Sequence, residues 1–257
     1  MKLLFDKSPL EYDHRPQMTE IHNILSNTSH RPFPVPSGRW KYYQEWNNAL
    51  FLHWKVPFES LRTCVPPKFN IDAFNGDCYV SLVAFTMQNI RPRTLPSLKF
   101  ISDFHEINLR TYIDNDNKKG VYFLNIEAEK YISTFIAKSL SGLPYEKSNI
   151  KRSVNNYHST NNSKNFRLDA TFEVKEKLTH KTNLDTWLTE RYCLYLDNRG
   201  KAFRYDIHHK EWEIKNVEIK QLALNYKIDS IVLSDLQPDQ VHYSEGVKVL
   251  AWQKQLL

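Results

Sequence analysis

The stretch His105-Glu106-Ile107-Asn108-Leu109-Arg110-Thr111-Tyr112-Ile113 alternates residue by residue. Successive side chains of a β-strand point to opposite faces. Ile107, Leu109, Thr111 and Ile113 therefore share one face, and Glu106, Asn108, Arg110 and Tyr112 share the other. An exposed edge strand alternates in the same way, so the pattern alone leaves the polar face open between surface and interior. The residue types on it are more telling, because an acid, an amide, a fork-shaped cation and a phenol are groups that orient small polar molecules. Four strand steps separate Glu106 from Arg110, about 13 Å, too far for a direct ion pair. If that face is enclosed, each charge requires a partner from another strand or from a ligand.

Working outward, Leu50 to Val56 reads as a strand ending at Pro57, and Phe69 to Ala73 alternates. Asn75-Gly76 is a turn signal, and Cys78 to Met87 is a nearly continuous β-type run. Val121 to Ile126 follows the polar turn from Asp114 to Gly120. One hairpin is predicted from Ile150–Tyr157 to Phe166–Val174 and another from Tyr192–Leu196 to Lys201–Ile207, with a last strand at Val247–Trp252. Ile132, Phe135, Ile136 and Leu140 fall on one side of a helix predicted over Glu129–Leu140, stopped by Gly142 and Pro144. Gln17–Ser26 reads as a short amphipathic helix, followed by the proline-stiffened connector His30 to Pro36. The sum is a β-rich α+β chain with a largely antiparallel sheet. Residues 1–38 read as an N-terminal extension and residues 39–257 as a single domain.

Composition removes several function classes. The chain has 257 residues and only six glycines, widely spaced, so no glycine-rich phosphate loop is present. Cys64, Cys78 and Cys193 form no C-x-x-C pair, which fits a reducing compartment. Near Met1, only Leu3-Leu4-Phe5 are consecutively apolar, too short for a secretory or membrane segment, and a cytoplasmic location is expected. The formal net charge is +6, and Lys147 to Lys220 holds fifteen Lys/Arg against ten Asp/Glu. Interleaved signs such as Glu173-Val174-Lys175-Glu176-Lys177 read as a solvated surface rather than a nucleic-acid patch. No nucleic-acid or membrane partner is expected, and a homo-oligomer is left open.

No cofactor and no metal is expected. Leu109 stands where a zinc-binding H-E-x-x-H helix needs its second histidine after His105-Glu106. His208 and His209 are adjacent, so on a strand they face opposite ways and do not chelate one ion. Two readings remain for them, cavity-lining hydrogen-bond partners or satisfied core residues. A G-x-S-x-G nucleophile elbow is absent.

Several motifs carry a resemblance to a known family. Trp46-Asn47-Asn48-Ala49-Leu50-Phe51-Leu52-His53-Trp54-Lys55-Val56-Pro57, Asp72-Ala73-Phe74-Asn75-Gly76, Arg91-Pro92-Arg93, Glu106 to Tyr112, Gly142-Leu143-Pro144-Tyr145, Glu190-Arg191-Tyr192 and Ile207-His208-His209 occur in collinear order. From Trp40 to Trp252 the chain resembles the YqjF-like family of uncharacterised bacterial proteins, which looks like a branch of the acetoacetate decarboxylase-like superfamily. The resemblance implies a bent antiparallel sheet closing into a cone around a ligand cavity, with Glu106 matching the decarboxylases' cavity glutamate. It also exposes a departure. In the decarboxylases a Gly-x-Pro is followed at once by paired lysines, one forming a Schiff base while its neighbour lowers its pKa. Here Tyr145 and Glu146 occupy those positions, and the nearest lysine, Lys147, has Glu146 beside it.

The leading expectation is a cavity that binds a small, carboxylate-bearing molecule without Schiff-base chemistry. Arg110 is assigned to the anion, with Asn108, Tyr112, His208 and His209 lining the site, and Glu106 and Tyr145 to proton transfer. The alternatives are a lyase or decarboxylase-like enzyme using Glu106 as acid/base on an oxo- or enol-acid, and a non-catalytic interaction module.

Overall fold

The computed structural model describes residues 15–130 and 145–257. Most of the predicted helix over Glu129–Leu140, together with Gly142 and Pro144, lies outside the described residues. The first described element, α1 (Arg15–Ser26), matches the N-terminal amphipathic helix. Its Ile21, Ile24 and Leu25 pack on Trp40, Tyr43, Leu250 and Trp252.

Seven strands make a ring. They are β1 (Tyr42–Val56), β2 (Cys78–Pro92), β3 (Phe104–Asn115), β4 (Lys118–Ala128), β9 (Cys193–Asn198), β10 (Lys201–His208) and β13 (Gln240–Ala251). Each pairs with the next, and β13 pairs with both β1 and β10, which closes the circuit. Among the described residues the pairings are antiparallel except for two. Strand β4 runs parallel to β9 and to the short β5 (Tyr145–Lys147). A second layer follows from β6 (Asn149–Ser153), β7 (Asn156–Asn161), β8 (Phe166–Lys177) and β11 (Lys215–Ile228), which are paired in that order, with β12 (Ile231–Ser234) on β11.

The two layers explain the apolar run over Cys78–Met87. Strands β1 to β3 are buried on both faces. Leu50, Leu52, Leu82, Ala84, Ile107 and Leu109 pack toward Leu168, Ala170, Phe172 and Tyr226 of the second layer. Phe51, Val83 and Phe85 face into the ring with Ile207, Trp212 and Val249. The polar face of β3 is therefore interior, with β2 on one side and β4 on the other.

Two bulges reset which residues face inward. Asn48 and Asn89 both adopt left-handed backbone conformations, at φ 54° each, where asparagine is better tolerated than most residues. The β1–β2 register shifts beside each of them. Before Asn48 the inward residues of β1 are Gln44 and Trp46, and after it they are Ala49 and Phe51. Facing the first bulge is Gly246, paired with Asn47, where an added Cβ would lie 2.5 Å from the Trp46 carbonyl oxygen.

Some elements differ from the sequence reading. Ile150–Tyr157 is itself a hairpin, β6 to β7, turning at Val154-Asn155 without glycine or proline. Phe69–Ala73 forms no strand, only a bridge from Ile71 to Ile113. Strands β5, β11 and β12 and the helices α2 (Phe58–Cys64), α3 (Lys99–Ser102) and α4 (Asn183–Thr189) were not expected. Helix α4 starts on a capping box, with Thr182 Oγ1 accepting from Asp185 N and Asp185 Oδ2 accepting from Thr182 N. The interleaved charges pair across β8 and β11, with Lys175 joining Glu173 to Glu218 and Lys220 bonding both.

Candidate functional site

Inside the ring lies a cavity of about 310 Å³. Among the described residues its wall is aromatic and aliphatic apart from Gln44, Ser102, Glu106, Asn108 and Arg110. Period-two alternation on β3 delivers the last three to the same wall, and parallel pairing of β5 with β4 brings Tyr145 beside them. Four of the seven site residues expected from sequence, Glu106, Asn108, Arg110 and Tyr145, thus meet.

Glu106 is 3% exposed. Asn108 Nδ2 donates to its Oε1 at 3.1 Å and the Tyr145 hydroxyl to its Oε2 at 3.4 Å. Burial pushes its pKa up to about 7, against the opposing influence of Asn108, Tyr145 and Arg110. Burial, with Glu106 adding to it, also holds the Tyr145 phenol well above its ordinary pKa, so it remains a donor. The buried Arg110 guanidinium sits 5.7 Å from the Phe51 ring centre. Its pKa is lowered by burial and, less strongly, by Arg191, with Tyr112 and Glu106 opposing. Three buried polar atoms of the wall residues have no hydrogen-bond partner among the described residues: Arg110 Nε, Asn108 Oδ1 and Trp46 Nε1.

The other three expected residues lie outside the wall. Tyr112 is one step beyond Arg110 on the same face, but its ring packs on Trp187 with centroids 4.5 Å apart. Its hydroxyl donates to the Leu188 carbonyl at 3.1 Å and bonds Ser81 Oγ at 2.5 Å. Ser81 then continues through His53 and His242 to Asp185, a buried polar chain. Because Ile207 points into the cavity, the next residue, His208, points out of the ring, where its Nε2 donates to Ile24 O of α1 at 2.7 Å. Its Nδ1 accepts from Arg31, which also donates to Ile207 O at 2.8 Å. His209 packs against Tyr192 and Trp212, and its Nδ1 donates to Lys210 O. Burial lowers both histidines to about 4, so both are neutral core residues at pH 7.

Sequence reading missed Trp46, Gln44, Phe51 and Trp212 as wall residues. Trp46 faces inward because of the bulge at Asn48, which the sequence does not announce. Trp212 carried no local signal, since it lies outside every strand.

The family model for DUF2071, described as an uncharacterized conserved protein, matches residues 43–248. The chain belongs to this family. It is 35% identical over 227 residues to the uncharacterized protein YqjF of Bacillus subtilis (strain 168), covering 85% of this chain and 93% of that one. Solved structures give the fold of this DUF2071 chain. An acetoacetate decarboxylase is 14% identical with a TM-score of 0.57, covering 91% of this chain and 97% of that one. An acetoacetate decarboxylase-like enzyme from Sphingomonas wittichii RW1 is 13% identical with a TM-score of 0.56, covering 88% and 98%. The enduracididine biosynthesis enzyme MppR, solved with pyruvate, is 10% identical with a TM-score of 0.55, covering 87% and 92%. The DUF2071 chain thus has the acetoacetate decarboxylase-like fold implied by its motifs, with Glu106 in its cavity wall.

Proposed function

We propose that this chain binds a small organic carboxylate within the ring, held by Arg110 and Asn108, with Glu106 and Tyr145 placed to exchange a proton. The observation that carries this reading is the Arg110 guanidinium, 8% exposed, on a cavity wall, with Nε lacking a partner. A buried unsatisfied donor costs about 1–3 kcal/mol, and a carboxylate restores the bond in its strongest form. A Glu106 near pKa 7 is protonated for part of the time at neutral pH, so it tolerates an anion nearby. MppR, which shares the fold, has been solved with pyruvate. A hollow centre with polar groups favours this reading over a pure interaction module.

Schiff-base chemistry is not part of the proposal. No lysine lines the cavity among the described residues, and Lys147 is exposed. Tyr145 bonds Glu106, and Glu146 pairs with Lys164 at 3.2 Å. A lyase using Glu106 as acid/base is the second reading, favoured by that group's pKa of about 7, close to the optimum for proton transfer at neutral pH.

Calorimetric titration with butyrate tests the site. Arg110→Ala is expected to lower affinity about 10- to 150-fold, the worth of a charged hydrogen bond of about 1.5–3 kcal/mol. Unchanged affinity places the anion elsewhere. Borohydride reduction with pyruvate or acetoacetate, read by intact mass, is expected to leave the chain unmodified. A covalent adduct overturns the exclusion of imine chemistry.

A further inference from the structure

The charged end of the cavity holds Arg110, Asn108 and Glu106, whereas Gln44, Ser102 and the unpartnered Trp46 Nε1 lie farther toward the mouth. Strand register gives a depth scale, because Ser81, Val83, Phe85 and Met87 of β2 pair with Arg110, Asn108, Glu106 and Phe104 of β3. On the other side of β2, Phe51 pairs with Val83, Trp46 with Met87 and Tyr42 with Pro92. Arg110 therefore marks one end. Beyond Glu106 the wall continues through Trp46, Met87 and Ile90 to Leu95 and Leu98, which are 54% and 53% exposed. Arg110 and the Met87 level lie six strand steps apart, about 20 Å. A three-carbon acid at Arg110 spans less than two such steps, about 6.6 Å, and leaves the apolar stretch unfilled.

We infer that the ligand is an elongated amphipathic monocarboxylate whose apolar chain runs from Arg110 past Glu106 and out between Trp46, Ile90 and Leu98. This rests on the carboxylate site proposed above and adds its substrate class. The lining suits a flexible chain, since Met87 adapts its shape and Ile90, Leu95 and Leu98 present an aliphatic surface at the mouth. A tail in this stretch removes water from the half-exposed Leu95 and Leu98, and the same burial drives its own binding.

Titration of the full chain with acetate, butyrate, hexanoate, octanoate and octan-1-ol tests the inference. Each buried methylene is expected to raise affinity about fourfold, giving on the order of a hundredfold from butyrate to octanoate. Octanol is expected to bind more weakly than octanoate. Leu98→Glu, at an exposed position, is expected to weaken octanoate while sparing butyrate, with an unchanged circular dichroism spectrum as the folding control. Equal affinities for butyrate and octanoate overturn the elongated ligand, and octanol matching octanoate overturns its anionic head. If neither acid nor alcohol binds, it is the carboxylate site itself that fails.

Discussion

Glu106 owes its near-neutral pKa chiefly to burial, since both of its hydrogen bonds and the Arg110 charge act in the opposite direction. The folded protein therefore holds the Glu106 proton more tightly than the unfolded chain does. The resulting stabilisation is whole below pH 4.5 and is lost as pH rises through about 7. A shift from 4.5 to about 7 corresponds to about 3 kcal/mol. Glu106→Gln keeps an acceptor for Asn108 and removes the titration. The wild type is expected to lose about that much stability relative to Glu106→Gln between pH 4.5 and 8, measured by urea unfolding at each pH. A constant difference would mean that folding leaves the Glu106 pKa unshifted. At this scale the sequence was legible, because period-two alternation assigned Glu106, Asn108 and Arg110 to one face. It did not show where along that face the cavity ends, and Tyr112 lies past the end, committed to Trp187 and Leu188.

Among elements, the bulges decide which residues of β1 face the cavity. Asn48 sits at φ 54°, its carbonyl accepts from the Tyr157 hydroxyl at 2.9 Å, and its Oδ1 accepts from Tyr243 at 3.1 Å. Asn48→Gly keeps the backbone and loses one hydrogen bond, an expected cost of about 1 kcal/mol. Asn48→Val adds a β-branched residue in the left-handed region, for a total of about 2–3 kcal/mol. Chemical denaturation should resolve the two, and equal losses would show that the bulge does not depend on the conformation of Asn48. Neither bulge is visible in sequence patterning, because an asparagine in the left-handed region is spelled like any other. The same limit hid β11, whose register shifts between Ile219 and Gln221 and breaks its alternation midway. The β6–β7 turn escaped for another reason. Val154, 78% exposed, is a residue that pattern reading assigns to a strand.

The whole molecule was legible as a class before it was legible as a shape. Short strands with turn signals gave a β-rich chain, and collinear motifs pointed to the bent sheet around a cavity. Ring closure rests on contacts between distant segments, β1 with β13 and β10 with β13, and no local pattern reports such pairings. The same lack of long-range information left His208 between two roles. It bonds Ile24 of α1 and Arg31 of the connector that follows, contacts made across more than 170 residues of chain.

That closure also sets a timetable for synthesis. One side of β1 has its partner β2 close by in sequence, but its other side waits for β13, which begins only at Gln240, far beyond Val56 at the end of β1. At translation speeds of about 5–20 residues per second, that edge stays open for roughly ten to forty seconds. An apolar strand with free amides and carbonyls is a template for pairing with another chain during this interval. The cavity exists only once the last strand of the ring has been translated.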